Sequence, residues 1–278
     1  MKKASVTSEA MPANEGQRRQ LTRMLQDIIP LMVEKAEIVS SRTQQAIDDK
    51  ESRLINACRD ALLRALATHA GKVPDYELAK KILGVDFITP EEVTKARPGI
   101  VYSDEQITAF AGNLPSAEVL EWCKANDYAV MPAPPTSMAL LHVREIQPAH
   151  FYSKQGGWYA EAQQFARADK TDSLKHWFLA KKTEVANSTG KSWNEQHPLL
   201  SEVERVPNVA EISWFITTYF EVRDTRLFEV VGVRTSSLGS GGNRVCVGPF
   251  HASFLLVGDW DTDERNVTIG VSSARKLF

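Results

Sequence analysis

Cysteine is scarce in this chain, and what there is does not pair. Cys58, Cys123 and Cys246 stand far apart, with no Cys-x-x-Cys unit and no Cys/His spacing of a zinc site, so neither a disulfide framework nor a structural zinc underlies the fold. They read as small buried hydrophobes and reduced thiols. Charge of one sign is missing too: 33 Lys and Arg against 35 Asp and Glu leave a formal net charge of −2. No bulk positive field draws in phosphate backbones or anionic lipid, and nucleic-acid binding would need a local patch. Long apolar runs are also absent; no window approaches the roughly 18 to 20 apolar residues that a membrane helix requires. The opening, Met1 to Ser8, lacks the apolar stretch of a secretion signal, so the expectation is a cytoplasmic protein with no membrane segment.

The 278 residues, 43% of them hydrophobic, can close one large core or two modest ones. Residues 1–16 are small and polar and read as a tail. In 17–72 the apolar residues Leu21, Leu25, Ile28, Ile29 and Met32, then Leu54, Ile55, Cys58, Leu62 and Leu66, recur at spacings of three and four. That is helical periodicity, and two such stripes predict a homo-oligomer or packing within the chain. Residues 73–127 read as a linker region of short helices, with start signals at Thr89-Pro-Glu-Glu, Ser103-Asp-Glu-Gln and Ser116-Ala-Glu. They have the size of helix-turn-helix units, which makes a DNA-associated protein one alternative, but no basic recognition helix accompanies them.

At Tyr128 the texture changes. Residues 128–135 read as a strand running into a Pro-rich turn, further short β candidates follow at 156–159, 177–180, 230–233, 245–247 and 254–257, with helices at 194–203 and 209–220, and the expected fold class is α+β. The stretch Arg205-Val-Pro-Asn-Val-Ala-Glu-Ile-Ser-Trp214 places Asn208 as an N-cap and Glu211 in the first turn. It is followed by Val233 to Phe250, with its Thr-Ser-Ser turn and Gly-rich hinge, and by a closing Val271-Ser-Ser-Ala-Arg275. In that order these segments resemble C-type-lectin-like domains of the bacterial, formylglycine-generating-enzyme-like branch. The resemblance implies an irregular lectin-like domain over 128–278 with a small twisted antiparallel sheet. The last seventy or so residues also resemble the targets of diversity-generating retroelements, which carry a hypervariable patch on such a fold. The branch's catalysis needs a pair of reactive cysteines, and here only Cys246 stands in the C-terminal part, on a strand-like Val-Cys-Val. An enzyme of that or a hydrolase class is the other alternative.

The reading is therefore a ligand-binding protein that displays His251, Ser253, Phe254, Asp259, Thr262 and Asn266 to a protein or other macromolecular partner. Trp260, Arg265, Arg244 and Arg275 are expected to form the scaffold, with Trp260 buried and Arg275 either tying the last strand to a carboxylate such as Glu211 or standing as a surface charge. No catalytic residue, cofactor or metal is expected. The acids Asp259, Asp261, Asp263 and Glu264 lack the glycine and closing Glu of a calcium loop and read as a solvated turn. Ser237 to Asn243 has no Lys-Ser/Thr after it, so it is a hairpin turn rather than a phosphate loop. His176 and His251 have no nucleophile beside them in sequence and read as structural or surface residues.

Overall fold

Three of the first four short helices start where a side chain caps them. The computed structural model describes residues 76–152, 157–171, 176–252 and 254–276, all within one compact unit, Gly71–Phe278. The expected tail at 1–16, the periodic helices of 17–72 and Ser253 lie outside the described residues. Helix α1 (Glu77–Leu83) stops at Gly84, whose φ of 58° suits a residue without a side chain. Helix α2 (Pro90–Ala96) opens on a capping box in which the Glu92 amide donates to Thr89 Oγ1 and the Thr89 amide donates to Glu92 Oε2. Ser103 and Gln106 repeat the device at α3 (Asp104–Gly112), and Ser116 caps α4 (Ala117–Ala125).

These four helices bury Ala79, Ile82, Val93, Phe110 and Leu120 in the same core as strand β1 (Tyr128–Pro132). Residues 76–127 are thus part of the domain wall, not a linker. Helices of seven to nine residues cannot bury an apolar face against one another alone, so the change of texture at Tyr128 marks a change of secondary structure within one core.

Helices α5 (Leu140–Ile146), α6 (Gly157–Ala162) and α7 (Phe165–Ala168) precede strand β2 (Trp177–Lys181). The strand expected at 156–159 is helix α6: the Trp158 ring packs on Phe165 with centroids 5.8 Å apart, and that packing overrides the aromatic strand preference. The helix expected at 194–203 is shorter, α8 (Trp193–Gln196), and passes into a 3₁₀ turn at Pro198. Strand β3 (Glu204–Arg205) leads into α9 (Val209–Arg223), capped by Asn208 and Glu211 as the sequence predicts.

Then come β4 (Gly232–Leu238), β5 (Arg244–Phe250), β6 (Leu255–Trp260), β7 (Ile269–Val271) and β8 (Ala274–Arg275). The fold is α+β, but with two four-stranded sheets in place of the single one expected, ordered β1-β2-β8-β3 and β6-β5-β4-β7. In the second, β7 runs parallel to β4 while the other pairs are antiparallel. The closing segment is accordingly not one strand: Val271 completes one sheet and Ala274 enters the other, two short pieces whose switch a period-2 reading cannot register.

Helix α9 fills the interior. Every residue from Val209 to Tyr219 is buried, and Trp214 Nε1 donates to the Pro132 carbonyl at 3.2 Å. Arg97, fully buried, lays its guanidinium over the Trp214 ring at 4.6 Å and donates to Thr217 and Thr218. Burial lowers that guanidinium to about 10, against the opposing pull of Glu221 and Tyr102.

Candidate functional site

The region expected from the sequence to carry the binding surface begins with a buried arginine in β4. Arg234 is 0% exposed, yet its guanidinium reaches the far ends of three segments. Nη1 donates to the Lys191 carbonyl and Gln196 Oε1, each at 3.0 Å, and Nη2 donates to the carbonyls of Asp261 at 2.9 Å and Glu264 at 2.7 Å. A planar fork with fixed donors suits this bracing of four acceptors. Gln196 completes the frame by donating from Nε2 to the Ser188 and Ile269 carbonyls.

The loop between β6 and β7 is held mainly by its backbone. The Trp193 amide donates to the Thr262 carbonyl at 2.8 Å and the Gly190 amide to the Asn266 carbonyl at 2.9 Å. Two side chains shape the turn from within: Asp261 Oδ1 accepts from the Asp263 amide, and Asn266 Oδ1 accepts from the Thr268 amide and hydroxyl. Arg265 forks onto the carboxylate of Glu195 through bonds of 2.9 and 2.8 Å. The fork and the Ser192 amide hold that exposed carboxyl down near 2. Beneath the loop, Gly270 is pressed against the 184–188 segment: a Cβ there would sit 2.6 Å from Glu184 Cβ and 2.7 Å from Ser188 Oγ.

The exposed side of this end carries apolar side chains in register. Arg244 pairs with Leu238 on one side and with Trp260 on the other, and directly opposed residues face the same way. Leu238 is 50% exposed and Trp260 38%, and Val267 in the loop is 78% exposed. Arg244 itself is pinned, its guanidinium 4.0 Å over the Trp193 ring and donating to the Ser236 carbonyl at 2.7 Å.

The residues chosen from sequence do not form one patch. His251 and Phe254 stand at the β5–β6 turn, ring centroids 5.9 Å apart, beside the exposed ring of Tyr152. Asp259, Thr262 and Asn266 stand at the other end of β6, a six-residue strand. At about 3.3 Å per residue that separates the two groups by roughly 17 Å. Trp260 is corrected from buried scaffold to exposed surface: it is the last residue of β6 and, among the described residues, is left 38% exposed. Asn266 turns its side chain inward to shape the loop rather than outward. The carboxylate of Glu211 is taken by Arg205, through bonds of 2.8 and 2.6 Å, and not by Arg275, which stacks on Trp122 at 4.4 Å. Arg205 is six residues away and directly precedes the helix entry, so it wins on proximity.

Reading the sequence passed over Arg234 altogether. The available signal was a single arginine at an inward position of Val233-Arg-Thr, where β alternation calls for an apolar side chain. Its register partner, Cys246, is buried, and burial pushes its thiol up to about 12, as it does for Cys123. Such thiols are protonated and poor nucleophiles at neutral pH. Among the described residues, no group of three or more His, Cys, Asp or Glu is placed to hold a metal ion, and no helix is long and apolar enough to cross a membrane. Comparison with family models, with curated proteins and with solved structures finds no match for this chain.

Proposed function

We propose that the chain is a ligand-binding display protein whose binding face is the Trp260 end of the second sheet: Leu238, Trp260, Thr262, Asp263, Glu264 and Val267. The observation that carries this reading is the bracing of the loop by Arg234, which grips the carbonyls of Asp261 and Glu264 rather than any side chain of the loop. Carbonyls are present whatever residue follows them, so the outward side chains can change while the backbone keeps its course. That property agrees with the lectin-like resemblance and with a variable surface of the retroelement-target kind. The partner is a protein or another macromolecule that accepts an exposed tryptophan flanked by aliphatic and acidic groups. Homo-oligomerisation through residues 17–72 and a cytoplasmic location belong to the same proposal.

A library randomised at those six positions, displayed on phage and selected against unrelated folded proteins, tests it. Most members are expected to stay folded, and specific binders to emerge. A library in which most members fail to fold contradicts the reading. A reverse transcriptase gene and a near-repeat of the C-terminal coding sequence beside this gene would establish the variable form.

A further inference from the structure

A second site lies at the first sheet. Between the α3–α4 connection, the end of β1, the first turns of α9 and strand β8 is a cavity of about 740 Å³. Leu114, Val119 and Phe178 supply apolar wall, and Arg205, Glu211, Arg275 and Lys276 supply the charge. The one carboxylate among these is taken up by the two-bond Arg205 fork, and among the described residues no carboxylate pairs with Arg275 or Lys276.

Arg275 is the telling residue. The carboxylate paired with it across the strands is Glu204, but Glu204 is committed elsewhere: it accepts from Tyr128 and Ser273 on one oxygen and from the Ser201 amide and hydroxyl on the other. Among the described residues Arg275 has no carboxylate partner, and its Nε is buried without an acceptor. Its guanidinium lies over Trp122, 4.4 Å from the ring centre, and the same arginine lines the cavity. Lys276 donates to the Glu202 carbonyl at 2.8 Å, which holds its ammonium beside the same opening.

We propose that this cavity binds an organic anion with an apolar body, a carboxylate meeting the edge of Arg275 and an aromatic or branched portion lying against Leu114, Val119 and Phe178. A guanidinium fork matches the two oxygens of a carboxylate, and the apolar part of the wall favours an anion with an apolar body over a small hydrated one. The site is independent of the display face and draws on none of its residues.

Isothermal titration of the full chain with phenylbutyrate, its neutral amide, acetate and inorganic phosphate tests this. Phenylbutyrate is expected to bind, the amide, acetate and phosphate each to bind at least about tenfold more weakly, and Arg275→Gln to weaken phenylbutyrate by about tenfold with no effect on the amide. Leu114→Trp, which fills the cavity from an irregular segment, is expected to abolish phenylbutyrate binding while circular dichroism and the melting temperature stay those of the unaltered chain. It serves as the second variant if Arg275→Gln does not fold. The proposal is overturned if the amide or phosphate binds as tightly as phenylbutyrate, if neither variant changes its affinity, or if no heat is seen at millimolar ligand.

Discussion

Two buried arginines organise this protein in opposite ways. Arg97 sits against helix α9, where it stacks on an indole and bonds to two threonine hydroxyls, so its partners are side chains and its site exists only for that sequence. Arg234 sits under the loop between β6 and β7, where three of its four acceptors are main-chain carbonyls. Around α9, the identity of nearly every residue is structural. Around the loop, the backbone is structural and many side chains are not. Burial alone does not separate these regions, since both arginines are 0% exposed; what separates them is whether the contacts can survive a change of residue.

The contrast breaks most readily at α9. Trp214→Ala removes an indole that is 1% exposed, strips Arg97 of its ring, and is expected to cost about 3 to 5 kcal/mol by chemical denaturation. Arg234→Met should come next, at about 2 to 4 kcal/mol, because it leaves the Asp261, Glu264 and Lys191 carbonyls without their buried donor. Gly270→Ala sharpens the comparison from beneath the loop. A methyl group forced to within 2.7 Å of Ser188 Oγ is expected to cost about 1 to 3 kcal/mol, although nothing exposed has changed.

An acid limb follows from Glu204 in the first sheet. Burial alone would raise that carboxyl, but hydrogen bonds from Tyr128, Ser201 and Ser273 outweigh it and hold the group below its ordinary value of 4.5. Because the unfolded chain takes up the proton first, the stabilisation is present above about pH 4.5 and disappears as pH falls through the lower folded value. Glu204→Gln should flatten melting temperature against pH in that range and leave its slope at higher pH unchanged. The smallest effect belongs to the proposed display face, where single substitutions of Thr262, Asp263, Glu264 or Val267 should each stay within about 0.5 kcal/mol.

Local signals in the chain were read well. The caps at Thr89, Ser103, Ser116 and Asn208 depend on neighbours three residues away, and all four form. The α+β class and most strands followed from periodicity for the same reason. What remained hidden depends on partners far along the chain. The split of the closing segment between β7 and β8 is decided by β4, β2 and β3, and the shared core of residues 76–127 by β1 and its neighbours. The candidate site was half legible: the loop after Trp260 stood out by its acids and turn residues, whereas Arg234, 27 residues before Asp261, carries no local mark of the carbonyls it reaches. Sequence proximity also joined His251 and Phe254 to residues at the opposite end of the same strand.

Amide hydrogen exchange at Gly190 and Trp193 tests the central claim most directly, because these N–H groups donate to the Asn266 and Thr262 carbonyls and report the path of the loop. In a chain with Trp260, Thr262, Asp263, Glu264 and Val267 all changed to Ala, protection at both amides is expected to match that of the unaltered chain. In Arg234→Met it is expected to be lost while the amides of α9 stay protected. Loss of protection in the fivefold variant, with retention in Arg234→Met, would contradict the account.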